Sequence, residues 1–168
     1  MTYNIGIIGL GYVGLQLAVA FGGQHRTIGF DKSSNKIKQL KRFIDDTKEL
    51  TTSDLKKAKF LNYTSDLKNL KKCNYIIVAV PTPINKNKVP DLKLLKSACV
   101  SIGRNINKNT LIIFESTVYP GVTEDICIPI IEQNSSLKWI KDFNIGYSPE
   151  RINPGDKTKT ISKINKVV

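Results

Sequence analysis

The chain has 168 residues, enough for one domain with a hydrophobic core, and 40% hydrophobic with 24% charged residues is ordinary for a globular protein. No apolar run is long enough to cross a bilayer. The net charge of +12 comes from scattered lysines with few aromatic residues among them, so a lysine-rich surface explains it better than nucleic-acid binding. We therefore expect no nucleic-acid partner and no membrane partner.

Short apolar runs alternate with helical segments along the chain. The predicted strands are Asn4–Ile8, Thr27–Phe30, Phe60–Thr64, Tyr75–Val80, Leu111–Phe114 and Phe143–Tyr147. The predicted helices are Tyr12–Phe21, a segment from Ser33 or Ser34 to Phe43, part of residues 45–59, Asp91–Ile106, and Gly121–Gln133 with an interruption at Pro129. Because such alternation gives parallel βαβ units, the sequence predicts a doubly wound α/β fold with a mainly parallel sheet in a three-layer α/β/α arrangement.

A glycine pattern, Gly9-Leu-Gly-Tyr-Val-Gly14, follows the first predicted strand and opens the first predicted helix. In that context GxGxxG predicts a Rossmann-type dinucleotide-binding turn. Gly9 permits the tight turn, Gly11 lets the backbone approach a pyrophosphate, and Gly14 lets the helix pack on the sheet. The free N–H groups at the helix N-terminus suit phosphates. The alternative is a glycine-rich turn that binds no ligand.

Asp31 stands twenty residues after Gly11, at the end of the second predicted strand. A carboxylate there would accept hydrogen bonds from ribose hydroxyls and repel a 2′-phosphate, which favours NAD over NADP. Lys32 and Lys36 lie nearby in the sequence and weaken this preference. The alternative for Asp31 is a capping residue without a ligand.

Three further loops follow predicted strands: Val80-Pro-Thr-Pro83, Glu115-Ser-Thr-Val-Tyr-Pro-Gly121 and Ser148-Pro-Glu-Arg151. Ligands of open α/β sheets bind beyond the carboxyl ends of the strands, where these loops would meet. Ser, Thr and Pro are common in any turn, so ordinary turn chemistry is the alternative for each single loop. Three such loops beside a dinucleotide-binding turn favour a binding site.

In this order and at these spacings, GLGYVGL, VPTP, ESTVYPG and YSPERINPG resemble the UDP-glucose/GDP-mannose dehydrogenase family. The fuller motifs ESTVYPGVTED and YSPERINPGDK resemble its branch that acts on UDP-N-acetylhexosamines. The resemblance runs from about Ile5 to Lys157, with one departure at Gln16, where family members often carry a proline that a first helical turn also tolerates. It implies an NAD-dependent 6-dehydrogenase that oxidises the C6 alcohol of UDP-N-acetylglucosamine or UDP-N-acetylgalactosamine to a carboxylate with two NAD⁺, for polysaccharide biosynthesis.

The resemblance also implies roles for individual residues. The cofactor-binding residues would be Gly9, Leu10, Gly11, Tyr12, Val13, Gly14, Asp31, Lys36, Pro81, Thr82 and Thr117. Thr117 and Glu150 would be catalytic, with Glu150 facing C6 and positioning or activating water. Glu150, Arg151 and Asn153 would contact the substrate. A charged Arg151 would keep the Glu150 carboxylate ionised at neutral pH, although a surface ion pair is the alternative.

Residues 1–168 are expected to form only the NAD-binding domain of such an enzyme. In the family, a central helix used for dimerisation and a UDP-sugar-binding domain follow, together with the cysteine that forms the covalent intermediates of the second oxidation. We expect this chain alone to bind NAD weakly without oxidising UDP-sugars, and the full-length protein to be a homodimer. The competing hypothesis is a dinucleotide-sensing regulatory module without chemistry, which has no use for Thr117, Glu150 or Asn153.

Cys73, Cys99 and Cys127 are odd in number and have no CxxC spacing. This pattern argues against a disulfide framework and a zinc site, so we expect no metal, and it suits a reducing cytoplasm. We interpret all three cysteines as core residues. His25, the lone histidine, is interpreted as a surface turn residue and not as a base.

Overall fold

The computed structural model describes residues 4–149, which contain one sheet of six parallel strands. The strands are β1 Asn4–Ile8, β2 Arg26–Phe30, β3 Leu61–Thr64, β4 Tyr75–Val78, β5 Thr110–Phe114 and β6 Phe143–Tyr147. Their order across the sheet is β3-β2-β1-β4-β5-β6, and every neighbouring pair is parallel. The winding direction therefore reverses between β1 and β4, and open α/β sheets bind ligands at such a point.

Helices connect the strands and cover the sheet. They are α1 Tyr12–Gly22, α2 Ser34–Lys41, α3 Thr52–Lys57, α4 Lys93–Gly103 and α5 Ile128–Ser135, with a 3₁₀ helix at Leu67–Lys72 and a π-helical segment at Val122–Cys127. No helix within residues 4–149 is long and apolar enough to span a membrane. The doubly wound α/β fold predicted from the sequence is confirmed, with a sheet that is parallel throughout the described part of the chain.

Two hydrophobic cores lie on opposite faces of the sheet, because successive side chains of a strand point to opposite faces. In β4, Ile76 and Val78 pack into one core with α4 and α5, whereas Ile77 packs into the other core with α1, α2 and α3. All three of these side chains are buried. Apolar residues on both faces are what a central parallel strand requires, and they produce the three-layer arrangement.

Several element boundaries differ from the predicted ones. The predicted strand Tyr75–Val80 ends at Val78. The predicted helix Asp91–Ile106 is shorter, because the Asp91 carboxylate accepts a hydrogen bond from the Lys93 amide at 2.9 Å before the first turn. The helix predicted over Gly121–Gln133 changes from π-helical to α-helical at Ile128, one residue before the interruption predicted at Pro129. Pro129 is the second residue of α5, a position that tolerates proline.

Candidate cofactor site

The turn between β1 and α1 requires glycine at two positions for reasons internal to the fold. Gly9 has a φ of +91°, and a Cβ there would lie 2.9 Å from the carbonyl oxygen of Ala79. A Cβ at Gly14 would coincide with the carbonyl oxygen of Gly9. Gly9 thus lets the chain turn close to the strand β4 end, and Gly14 lets α1 sit directly on the turn.

Gly11 is different, because the fold does not require a glycine there. Its backbone is extended, with φ −81° and ψ −157°, and a Cβ would meet no described atom within 4 Å. An open space of this kind beside a glycine leaves room for a ligand to approach the backbone closely.

The N-terminus of α1 presents backbone donors to this open space. Gly11 is the N-cap residue and makes no side-chain capping bond, while the first helical hydrogen bond runs from the Leu15 amide to the Gly11 carbonyl at 3.1 Å. The amides of Tyr12, Val13 and Gly14 precede this bond, so the helix itself gives them no acceptor. Together with the helix dipole, these amides can bind a diphosphate.

The Asp31 carboxylate is held at the edge of the same turn. Its Oδ2 accepts a hydrogen bond from the Leu10 amide at 3.0 Å, and its Oδ1 accepts one from the Ser33 amide at 2.9 Å. Each oxygen of a carboxylate can accept more than one hydrogen bond. The fixed carboxylate therefore keeps acceptor capacity for a pair of hydroxyl groups.

Lys36 reaches the glycine turn from α2. Ser33 caps this helix through a 3.2 Å hydrogen bond from the Lys36 amide to its Oγ. The Lys36 Nζ donates a hydrogen bond to the Leu10 carbonyl at 3.3 Å and forms an ion pair with Asp46 Oδ1 at 3.2 Å. The Lys36 side chain is mostly buried, at 19% exposed. The ion pair with Asp46 was not predicted from the sequence.

A cavity of about 360 Å³ lies between the glycine turn, the end of β2 and helix α4. Its lining brings together five of the predicted cofactor-binding residues: Gly9, Gly11, Asp31, Lys36 and Pro81. It also includes four residues of α4 that sequence reasoning did not single out: Leu94, Ser97, Ala98 and Ser101. The sequence signal for three of them is that Ser97 and Ala98 are small residues about one helical turn before Ser101, which is also small.

A second cavity, of about 430 Å³, continues from Gly11 toward the ends of β4 and β5. The predicted residues that line it are Gly11, Tyr12, Val13, Pro81, Thr82 and Thr117. Glu115 and Ser116, which are buried, line it as well. The strand ends therefore bring the β1, β4 and β5 loops to one site, as expected for a parallel sheet.

Two short hydrogen bonds join the loops that follow β4 and β5. Thr82 Oγ1 donates to the Thr117 carbonyl at 2.6 Å, and Ser116 Oγ donates to the Val80 carbonyl at 2.6 Å. The β6 end is adjacent, since the Ser148 amide donates to the Phe114 carbonyl at 2.9 Å. The predicted substrate residues Glu150, Arg151 and Asn153 lie outside the described residues.

The three cysteines are buried, which confirms the core interpretation. Burial raises the pKa of Cys73 to about 11. A hydrogen bond with Cys127, together with burial, raises the pKa of Cys99. Within residues 4–149, no group of three or more His, Cys, Asp and Glu side chains is placed to hold a metal ion. His25 lies in the turn before β2, as predicted.

A family model described as the UDP-glucose/GDP-mannose dehydrogenase family, NAD binding domain, matches residues 3–168. The chain belongs to this family. It is the family's NAD-binding domain, and its cofactor is NAD.

Relatives in this dehydrogenase family are similar over almost the whole chain. The UDP-N-acetyl-D-glucosamine 6-dehydrogenases of Pseudomonas aeruginosa and Salmonella typhi are 50% and 47% identical, each over 98% of this chain and 39% of the relative. Protein CapL of Staphylococcus aureus is 51% identical over 100% of this chain and 39% of its own length. The chain thus spans about two-fifths of the length of these curated relatives.

Solved structures of family members have the same fold. The UDP-D-ManNAc dehydrogenase of Pyrococcus horikoshii is 30% identical, with a TM-score of 0.80 over 90% of this chain and 37% of that chain. A ternary complex of GDP-mannose dehydrogenase from Pseudomonas aeruginosa is 29% identical, with a TM-score of 0.81 over 92% of this chain and 37% of that chain.

The geometry of this family member fits NAD. The open space at Gly11 faces amides that can bind a diphosphate. The Asp31 carboxylate lines one of the two cavities that meet at Gly11, and the other cavity reaches the loops after β4 and β5.

Proposed function

We propose that the chain is the cofactor-binding part of an NAD-dependent UDP-N-acetylhexosamine 6-dehydrogenase, which oxidises the sugar C6 alcohol to a carboxylate. The observation that carries the proposal is the cleft around Gly11, where uncapped helical amides and the Asp31 carboxylate meet the loops after β4 and β5. Two relatives at 50% and 47% identity that are named UDP-N-acetyl-D-glucosamine 6-dehydrogenases support the choice of substrate class.

In this proposal the residues divide along the cofactor. The amides of Tyr12 and Val13 bind the diphosphate, Asp31 binds the adenosine ribose hydroxyls, and Lys36 adds a positive charge beside them. Thr82 and Thr117 line the nicotinamide side. When bound, NAD⁺ accepts a hydride from the substrate carbon.

The reacting carbon would lie beyond Thr117, beside the loops after β5 and β6. Thr117 is fixed there, because its carbonyl accepts the Thr82 hydroxyl at 2.6 Å. Its own hydroxyl would hold a water molecule close to C6. Glu150, three residues after the end of β6 in the sequence, would position or activate this water, and Arg151 and Asn153 would bind the sugar nucleotide.

Three further parts of the proposal rest on the family resemblance. Residues 1–168 form one NAD-binding domain of a longer protein, and that protein acts as a cytoplasmic homodimer. Either UDP-N-acetylglucosamine or UDP-N-acetylgalactosamine is the substrate.

The proposal is tested with the full-length protein, NAD⁺ and each UDP-N-acetylhexosamine, with NADH absorbance as the readout. We expect two NADH for each sugar oxidised. Glu150→Gln should lower kcat by about a hundredfold or more, because a positioned acid–base group is lost, without changing the Kd for NAD⁺. Glu132→Gln is the matched control, since Glu132 pairs with Lys138 in the segment before β6 and lines neither cavity.

The sensor hypothesis predicts a different result. NAD⁺ would bind, no UDP-sugar would produce NADH, and Glu150→Gln would have no effect. That combination would contradict the enzymatic proposal while leaving NAD binding intact.

A further inference from the structure

A second acidic residue, Asp46, lies behind Lys36 near the proposed adenosine end of the cleft. Asp46 approaches from the segment between α2 and α3, and its Oδ1 lies 3.2 Å from the Lys36 Nζ. Lys36 lines the cavity together with Asp31 and Lys32. Asp46, which does not line the cavity, thus forms an ion pair with Lys36, which does.

Both members of this ion pair extend from backbone segments that are fixed by hydrogen bonds. The segment that carries Asp46 is organised by its neighbour Asp45, whose carboxylate accepts hydrogen bonds from the amides of Thr47, Glu49 and Leu50 at 2.9, 3.1 and 3.1 Å. On the other side, the Ser33 cap fixes the first turn of α2, from which Lys36 extends. The backbone on both sides of the pair is therefore ordered, while the side chains differ in exposure, at 19% for Lys36 and 45% for Asp46.

The two contacts of Lys36 restrict where its ammonium can point. An ammonium has three donors, and one is directed at the Leu10 carbonyl and one at Asp46. The remaining donor can reach a ligand oxygen near the turn. To pair with a phosphate on the far side of the Asp31 carboxylate, Lys36 would have to leave Asp46.

This arrangement bears on the choice between NAD and NADP, which differ by a phosphate on the adenosine ribose. Asp31, Asp46, Lys32 and Lys36 together carry no net charge, and the Asp31 carboxylate repels that phosphate. Without Asp46 these side chains would carry one net positive charge, and a released Lys36 could pair with the phosphate, as basic residues do in NADP-binding sites.

We propose that Asp46 is a specificity-determining residue that keeps the cleft selective for NAD by holding Lys36 away from a 2′-phosphate. It acts through Lys36 and is a positioning residue. The inference rests on the proposed binding of the adenosine ribose at Asp31.

The experiment measures the Kd of NAD⁺ and of NADP⁺ by isothermal titration calorimetry for the wild type, Asp46→Asn and Asp46→Ala. We expect the Kd for NADP⁺ to fall by about three- to tenfold in both variants, while the Kd for NAD⁺ changes by less than about twofold. Thermal melting of each variant shows whether the fold is retained. Using both Asn and Ala at position 46 shows that the result comes from loss of the carboxylate and not from the side chain that replaces it.

Two further variants test the route through Lys36. In the double variant Lys36→Met/Asp46→Asn the gain in NADP⁺ affinity should disappear. The matched control is Asp54→Asn, which removes a half-buried carboxylate paired with Lys57 at 2.9 Å, and we expect no change in the ratio of the two Kd values.

An unchanged ratio in Asp46→Asn and Asp46→Ala would overturn the inference, as would an equal gain in Asp54→Asn or a gain that persists without Lys36. A wild-type protein that binds neither dinucleotide would instead contradict the proposed function. The two failures are therefore distinguishable.

Discussion

At the scale of single residues, we expect Gly11 to be needed for ligand binding and Gly14 to be needed for folding. Gly11→Ala is expected to change the free energy of unfolding by less than about 0.5 kcal/mol, because its Cβ would meet no described atom within 4 Å. It should nevertheless weaken NAD⁺ binding by about tenfold, since the added methyl group occupies the space next to the diphosphate. Calorimetric titration and chemical denaturation measure the two effects.

Gly14→Ala is the control for this prediction. Its Cβ would coincide with the Gly9 carbonyl oxygen, so it should reduce the free energy of unfolding by about 1–3 kcal/mol. If Gly11→Ala were the more destabilising of the two, the assignment of the open space to a ligand would be wrong.

A buried tyrosine makes the stability of the protein sensitive to alkaline pH. Tyr63 is 7% exposed, and its hydroxyl has no hydrogen-bond partner within the described part of the chain. Burial, with a smaller contribution from the Asp45 carboxylate, raises its pKa from 10.0 to about 12. Between these two values the unfolded chain binds fewer protons than the folded one, so the free energy of unfolding falls as pH rises.

Tyr63→Phe removes this effect together with an unpaired buried hydroxyl. We expect the variant to be as stable as the wild type, or more stable by up to about 1 kcal/mol, at pH 8, and its advantage to grow toward pH 11. Urea unfolding at both pH values measures the difference. Tyr119→Phe changes an exposed tyrosine and should show no such growth; a constant difference for Tyr63→Phe would contradict the pKa argument.

The site residues differ in how far the sequence could predict them. Gly9, Gly14 and Asp31 were predictable, because their spacing within one βαβ unit is typical of a dinucleotide-binding turn. Asp46 and Ser97 were not, because their contacts depend on how distant segments pack against the turn. The hydrophobic periodicity of the sequence does not show how distant segments pack.

At the scale of elements, α2 depends on its cap. Ser33→Ala removes the hydrogen bond that its Oγ accepts from the Lys36 amide at 3.2 Å, and should cost about 1 kcal/mol in chemical denaturation. The first helical residue, Ser34, is the matched control, and Ser34→Ala should have little effect because it makes no such cap. Equal losses in both variants would show that the cap does not stabilise α2.

Element types were predicted more accurately than element ends. Apolar runs predicted all six strands found in residues 4–149, but hydrophobicity does not show the hydrogen bonds that end an element. The 3₁₀ helix Leu67–Lys72 was missed, since it is short and rich in lysine. The order of the strands was not predictable either, because it follows from crossovers and not from any one segment.

At the scale of the whole molecule, the site exists because six parallel strands end at one edge of the sheet. The loops after β4 and β5 are joined there by the Thr82–Thr117 and Ser116–Val80 hydrogen bonds. We expect hydrogen–deuterium exchange to slow in residues 79–83 and 115–118 together when NAD⁺ is added. Ser116→Ala should make exchange in both loops faster, and a change confined to one loop would contradict this coupling.

The joined loops have an evolutionary consequence. The β5 loop lies toward the proposed sugar side, and the β4 loop lines the proposed dinucleotide site, so a replacement that adapts one loop to a different sugar would also change the proposed cofactor contacts. Shifts of sugar preference in this lineage should therefore arise through paired replacements in both loops, or through positions that touch neither of them.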